Sequence, residues 1–343
     1  MKILVTGGAG FIGSNLVRFL ADTYPLDYIV NLDALTYAGN RESVRDLDTK
    51  PNYQFVHGDV TDADLIDGLM AGVDAVMHLA AESHVDRSIS DPGAFVRTNV
   101  VGSQVLLEAA RRHKVGRFLY VSTDEVMGSL GPAGLFDEET PLAPNSPYSA
   151  SKAGGELLAR AFFHTYGLET LITRCSNNYG PYQFPEKLIP FFLLELLDGG
   201  TVPLYGDGLN VRDWLYVEDH CRALDVVLRR GTPGQVYCVG GNCERTNAEI
   251  THFLLAATGR GKDAIRYVQD RPGHDRRYAI DAGKIKRELG WEPAHDFQSG
   301  MTATIAWYNA NAWWWRPLRE RALDPARAAA NQQPAQPGVA AAP

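Results

Sequence analysis

Apolar and polar positions along the first half of the chain follow two alternating periods. Short runs rich in β-branched and aromatic residues predict strands at Ile3 to Thr6, Tyr28 to Leu32, Gln54 to His57, Ala75 to Leu79 and Phe118 to Ser122. Between them lie stretches of helical period, among them Asn15 to Asp22 and Gly102 to His113. Strand and helix repeated in this order is the pattern of βαβ units, because parallel strands need a crossover long enough to return across the sheet. The expected fold class is α/β: a doubly wound parallel sheet with right-handed crossovers.

Beyond Gly180 the pattern loses its regularity and is punctuated by Pro181, Pro185, Pro190 and Pro203, with one apolar helix predicted from Leu188 to Leu197. Residues 1–180 are thus expected to form a first domain, to which a later segment at about 211–242 returns. Residues 181–323 are expected to form mainly a smaller C-terminal α/β substrate domain. From Asp324 to Pro343 the chain is an Ala/Pro/Gln tract without aromatic residues. Such a tract cannot bury enough surface to offset its ordering entropy, and a disordered tail is expected.

Composition narrows the function classes. A chain of 343 residues, 45% hydrophobic and 22% charged, can bury a substantial core. Its net charge of −8 argues against a nucleic-acid or membrane-surface binder, since both display cationic excess toward phosphate. The apolar run at Met1 to Val5 passes straight into glycines, too short for a signal sequence or a membrane span, so a cytoplasmic protein is expected. Cys175, Cys221, Cys238 and Cys243 form no CxxC pair and have no zinc-like histidine spacing; reduced thiols and no metal are expected.

The first predicted strand leads into Gly7-Gly8-Ala9-Gly10-Phe11-Ile12-Gly13, which opens a helix. In a GxxGxxG loop the glycines allow a tight turn and close approach of backbone amides to a pyrophosphate, and the helix N-terminus adds its positive dipole end. Asp33 ends the second strand, placed to accept the adenosine ribose hydroxyls, and Ala34-Leu35-Thr36 brings no arginine to welcome a 2′-phosphate. A Rossmann-like site for NAD rather than NADP follows. Asp59-Val60 after the third strand could meet the adenine, or Asp59 could be a plain helix cap.

Two further clusters suggest chemistry. Tyr148 and Lys152 share one helix face if Pro147 starts a helix, and the ammonium would then lower the phenol's pKa and make it a general base for a sugar hydroxyl. Ser122-Thr123-Asp124-Glu125 closes the fifth predicted strand, at the sheet edge where open α/β folds build their sites. The bland alternative for those acids is a solvated strand-end pair; for Thr123 it is a buried strand cap.

Taken together, the glycine loop, Ser122 to Glu125 and Tyr148 to Lys152 resemble the extended short-chain dehydrogenase/reductase family. Leu79-Ala80-Ala81-Glu82-Ser83-His84-Val85-Asp86, Ser176-Asn177-Asn178-Tyr179-Gly180-Pro181-Tyr182, Arg212-Asp213-Trp214 and Asp270-Arg271-Pro272-Gly273-His274-Asp275 extend the likeness to its nucleotide-sugar dehydratases, from Met1 to about Trp313. Met127 departs from it, standing where the family carries tyrosine.

The resemblance implies a homodimer and a 4,6-dehydration of a nucleoside-diphosphoglucose, catalysed by Thr123, Asp124, Glu125, Tyr148 and Lys152. It also implies NAD contacts from Leu79, Ala80, Ala81, Ser83, Thr98 and Asn178, with Tyr148 and Lys152 shared. Substrate contacts are implied for Ser83, Thr123, Asn177, Lys187, Leu188, Arg212, Asn247 and Asp270 through His274, and a base cradle for Pro203, Leu204 and Tyr205. Arg212 and Arg271 suit a diphosphate by bidentate bonding, though surface ion pairs remain the alternative, and His274 could be an ordinary polar surface residue. The rivals are an epimerase or decarboxylase of the same fold, neither of which needs the acid pair, and a non-catalytic NAD-sensing regulator.

Overall fold

A computed structural model describes residues 1–270 and 274–322. The tail expected from Asp324, and Arg271, Pro272 and Gly273, lie outside the described residues. In chain order the strands are β1 (Lys2–Thr6), β2 (Tyr28–Asp33), β3 (Tyr53–His57), β4 (Ala75–His78), β5 (Arg117–Thr123), β6 (Thr170–Cys175), β7 (Asn177–Tyr179), β8 (Val202–Tyr205), β9 (Val211–Tyr216), β10 (Val236–Val239), β11 (Glu244–Thr246) and β12 (Ile265–Val268). The helices are α1 (Phe11–Thr23), α2 (Ala63–Met70), α3 (Val85–Ser90), α4 (Pro92–Val96), α5 (Ser103–Arg112), α6 (Pro147–Tyr166), α7 (Leu188–Leu197), α8 (Val217–Arg230), α9 (Asn247–Thr258), α10 (Gly283–Leu289), α11 (Phe297–Ala310) and α12 (Ala312–Ala322). One turn of π-helix, Arg97–Gly102, joins α4 to α5.

Seven strands form one sheet in the order β10-β6-β5-β4-β1-β2-β3, every neighbouring pair parallel. A buried parallel sheet needs apolar cover on both faces. Leu16, Val17 and Leu20 of α1, Leu224, Val227 and Leu228 of α8, and Ile285 and Leu289 of α10 cover one face. Ile66 and Met70 of α2, Leu106 and Leu107 of α5, and Ala159 and Phe162 of α6 cover the other. The chain leaves β1 toward β2 on one side and later places β4 on the other, so the order reverses at the carboxyl end of β1. Open α/β sheets leave a ligand crevice at such a point.

Downstream of β6, two small sheets, β11-β9-β7 and β12-β8, are packed by α7, α9, α11 and α12 around Tyr179, Phe192, Leu193, Leu254, Met301 and Tyr308. In the segment around 211–242, β9 belongs to the three-stranded sheet, whereas β10 extends the large one beside β6. Among the described residues no helix is long and apolar enough to cross a membrane.

Candidate functional site

The glycine loop turns sharply off β1 into α1. Gly7 has φ +77°, and a Cβ there would lie 2.7 Å from the Ala80 backbone; one at Gly13 would lie 2.1 Å from the Gly7 carbonyl oxygen. Only glycine lets strand end, helix start and the loop after β4 approach so closely. Gly10 caps α1 without a side chain, so the helix presents bare amides at its positive end. At the end of β2, Asp33 is buried and accepts hydrogen bonds from the Ala9 and Leu35 amides, both at 2.8 Å. A carboxylate retains acceptor sites beyond those two. Leu35 takes a left-handed φ of +51° in that turn. Asp59 is exposed and accepts from the Thr61 amide and hydroxyl, while the cap of α2 is Asp62. The crowded glycine cradle, the open helix amides and the acidic strand end fit a dinucleotide with a free ribose.

The opposite wall is built where β5 ends. Thr123 caps the short turn Asp124–Met127, its hydroxyl accepting from the Glu125 amide at 3.4 Å and donating to Asp124 Oδ1 at 3.2 Å. Asp124 is 2% exposed, and its Oδ2 is buried with no hydrogen-bond partner. Burial, with the Glu125 charge beside it, holds its carboxyl well above the ordinary carboxylate range, which favours the protonated form. Met127 packs with Val126, Phe136, Ala153, Tyr278 and Ile280, an apolar filling in place of a phenol.

Tyr148 and Lys152 face the cleft from the first turns of α6, which starts as expected at Pro147 behind the Ser146/Ser149 capping box. The pKa expectation for this pair fails. Burial, then the Glu125 charge, pushes the Tyr148 phenol well above its usual value. Lys152 does not counter this: its Nζ donates to the Val121 carbonyl at 2.7 Å and lies 4.4 Å from the Tyr120 ring centroid, and burial brings its own pKa down to about 8. Desolvation, invisible in a Tyr-x-x-x-Lys spacing, outweighs the ammonium.

A buried hydrogen-bond chain fixes the phenol's helix against the cofactor loop. Asn99, in the π turn, accepts from the Glu82 amide at 2.9 Å and donates to the Glu82 carbonyl at 3.0 Å and to Ser151 Oγ at 2.8 Å; Ser151 Oγ in turn donates to the Tyr148 carbonyl at 2.7 Å. Ser103 Oγ donates to the Asn99 carbonyl and meets His78 Nε2 at 2.9 Å, and burial holds His78 neutral, its pKa drawn down to about 3.

One cleft of about 310 Å³ brings most of the expected residues together. On the cofactor side it is lined by Gly7, Gly10, Phe11, Ile12, Gly13, Asp33, Ala34, Thr36, Asp59, Val60, Leu79, Ala80, Ala81, Thr98 and Asn178. Ser83, Thr123, Glu125, Tyr148, Lys152, Asn177 and Lys187 complete the expected set. Leu35 and Leu188 do not line it, and Asp124 stands behind Thr123.

The remaining expected substrate residues gather in a second group. His274 Nδ1 lies 2.6 Å from Asp270 Oδ1, with the Tyr205 ring 6.4 Å away on the strand that also carries Pro203 and Leu204. The Arg212 guanidinium lies 4.3 Å from the Tyr278 ring centroid and donates to the Asp275 carbonyl, which also accepts from Asn210. Asn247 opens α9, its amide donating to the Asn210 carbonyl. Electrostatics join the groups: the Arg212 charge opposes part of the rise at Asp124, and burial followed by the Glu125 charge pushes the Tyr278 phenol up.

Sequence reading missed part of the lining: Tyr37, Glu82, Ser122, Gln183, Phe184 and Glu186. Glu82 and Ser122 sat inside motifs already singled out, while Tyr37 and Gln183 to Glu186 have no local signal. Glu82 Oε2, Ser122 Oγ, Asn177 Oδ1 and Gln183 Oε1 are buried here without hydrogen-bond partners. Buried polar atoms are nearly always paired, so this cluster marks a place built for a polar ligand.

The model of the GDP-mannose 4,6 dehydratase family matches residues 4–304. A dTDP-glucose 4,6-dehydratase of Streptomyces antibioticus is 55% identical over 331 residues, covering 95% of this chain and 98% of that one. The crystal structure of the Streptomyces venezuelae dTDP-glucose 4,6-dehydratase DesIV, with NAD and dTDP bound, is similar with a TM-score of 0.91 and 55% identity, over 93% of this chain and all of that one. A UDP-glucose 4-epimerase of Thermotoga maritima shares the fold at a TM-score of 0.85 with 31% identity, over 91% of this chain and all of that one. Fold, cleft and relatives agree: the chain belongs to the dTDP-glucose 4,6-dehydratase family of extended short-chain dehydrogenases/reductases.

Proposed function

We propose that the chain is an NAD-dependent hydro-lyase converting dTDP-glucose to dTDP-4-keto-6-deoxyglucose and water. The observation that carries this reading is the pairing of a buried Asp124, whose carboxyl burial pushes up, with a neighbouring Glu125 that lines the cleft together with Thr123, Tyr148 and Lys152. Epimerisation at C4 calls for the phenol alone; elimination across C5 and C6 calls for one acid and one base side by side.

Bound NAD supplies a reversible, positively charged hydride acceptor. Tyr148 takes the C4 hydroxyl proton as C4 is oxidised, while Thr123 aligns the C4 oxygen. The phenol is neutral in the chain alone, so it becomes a base only once positive charge stands beside it. The 4-keto group then acidifies C5–H. Glu125 removes that proton, and Asp124 donates one to the C6 hydroxyl as it leaves as water. After hydride returns to C6, Glu125 gives the proton back to C5. No external reductant is consumed. Lys187, Asn177 and Ser83 support the sugar, and Arg212 with the His274 group supports the diphosphate and base.

Incubation with dTDP-glucose and no added reductant is expected to yield a product with the alkaline ultraviolet absorbance of a 4-keto-6-deoxy sugar. An unchanged C6 with inversion at C4 would instead make the chain an epimerase.

A homodimer is part of the same proposal. Ile89, Val96, Val101 and Leu157 are exposed apolar residues on α3, α4, the π turn and α6, which pack together, and a second copy would cover them. A cytoplasmic location is part of the same proposal.

A further inference from the structure

The cleft wall formed by Gln183, Phe184, Glu186 and Lys187 is fixed from outside by groups that the chemistry does not use. At its start stands Tyr182, with a left-handed φ of +64° that a tyrosine rarely adopts. Its hydroxyl is 3.1 Å from the Arg18 guanidinium of α1. Its ring is 4.6 Å from Trp307 of α11 and 5.5 Å from Trp314 of α12, and the two indoles are 5.2 Å apart. Trp314 Nε1 donates to Ser43 Oγ at 3.0 Å, tying α12 to the segment after β2. From α11, the fully buried Tyr308 donates its hydroxyl to the Gln183 carbonyl, and the Asn15 amide group donates to the Pro181 carbonyl at 3.0 Å. Inside the cleft, Gln183 donates to the Asn178 carbonyl and Lys187 Nζ to the Ser83 carbonyl.

We infer that Tyr182 is a positioning residue and that α11 and α12 belong functionally to the site: the aromatic clasp of Tyr182, Trp307 and Trp314 sets the Gln183–Lys187 wall for substrate. A strained backbone persists only where its surroundings over-determine it, and three elements do so here. The clasp touches neither Tyr148 nor the acid pair, so it acts on substrate affinity rather than on the chemical steps. This rests on the dehydratase reading.

The test uses the full-length holoenzyme and dTDP-glucose, below the melting temperature of every variant. Tyr182→Ala is expected to raise KM roughly tenfold and to leave kcat within about threefold, because a displaced wall misplaces bound substrate. Tyr182→Phe, which keeps the rings packed, should restore most of the affinity. Tyr308→Phe, which frees the Gln183 carbonyl from the clasp's side of the wall while the ring stays against Trp307, should also raise KM, and stands in if Tyr182→Ala does not fold. Wild-type KM in Tyr182→Ala or Tyr308→Phe, with only the melting temperature lowered, would make the clasp purely structural and overturn the inference. Failure of the wild-type chain to turn over dTDP-glucose would instead overturn the dehydratase reading.

Discussion

Two neighbouring carboxyls with opposite duties need different surroundings, and residue by residue the cleft supplies them. Asp124 lies 2% exposed behind Thr123, whereas Glu125 reaches the cleft. Because the charged form of Asp124 is penalised, its folded pKa is raised, and stability falls as pH rises from its unfolded value of 3.8 toward the raised one. Asp124→Asn, a neutral isostere, should therefore melt at or above the wild-type temperature at neutral pH, with the difference shrinking on acidification. It should also lose about a hundredfold or more in kcat. A variant melting well below wild type at neutral pH would show that Asp124 is ionised. Glu125→Gln is expected to keep NAD bound and to oxidise C4 but not to exchange C5–H with heavy water; unchanged exchange would remove Glu125 from its role. Both acids could be read from the sequence because they close a strand. The phenol's environment could not, because burial depends on residues far along the chain.

Among the elements, strands β1 to β5 and helices α1, α5 and α7 were legible because each carries its own period, and α6 was marked by Pro147, which Ser146 precedes as the cap. The three-residue strands β7 and β11 were not, since they are held by pairing with β9 and show no periodicity of their own. Close approach between elements is set by single glycines. A Cβ at Gly155 of α6 would lie 2.6 Å from the Asn99 carbonyl oxygen and 2.4 Å from the Tyr120 hydroxyl. Gly155→Ala is expected to destabilise by about 2 kcal/mol and to lower kcat, because overpacking pushes α6 off the π turn that anchors Tyr148. Denaturant melts and steady-state rates check this, and a variant with wild-type values of both would show that α6 tolerates the displacement. Gly13→Ala should lose bound NAD on gel filtration, since the added methyl meets the Gly7 carbonyl oxygen at 2.1 Å.

For the molecule as a whole, the sheet provides one crevice at its switch point and the later elements close over it. Burial inside that crevice leaves a signature on global stability. Lys152 is depressed from 10.5 to about 8, so its charged form is penalised in full below pH 8. The penalty is relieved as pH rises between about 8 and 10.5, where the unfolded chain binds the extra proton. Lys152→Met should remove that part of the alkaline dependence of the cofactor-free chain's melting temperature, and an unchanged profile would mean that Lys152 titrates normally. Substituting Leu157→Glu should convert the proposed dimer to monomers in sedimentation. The whole scheme stands on a hydride that leaves C4 and comes back to C6 of the same sugar. dTDP-glucose carrying deuterium at C4, turned over in ordinary water, is expected to give product with that deuterium at C6 and hydrogen from solvent at C5. Product without deuterium at C6, or with it retained at C4, would contradict the scheme.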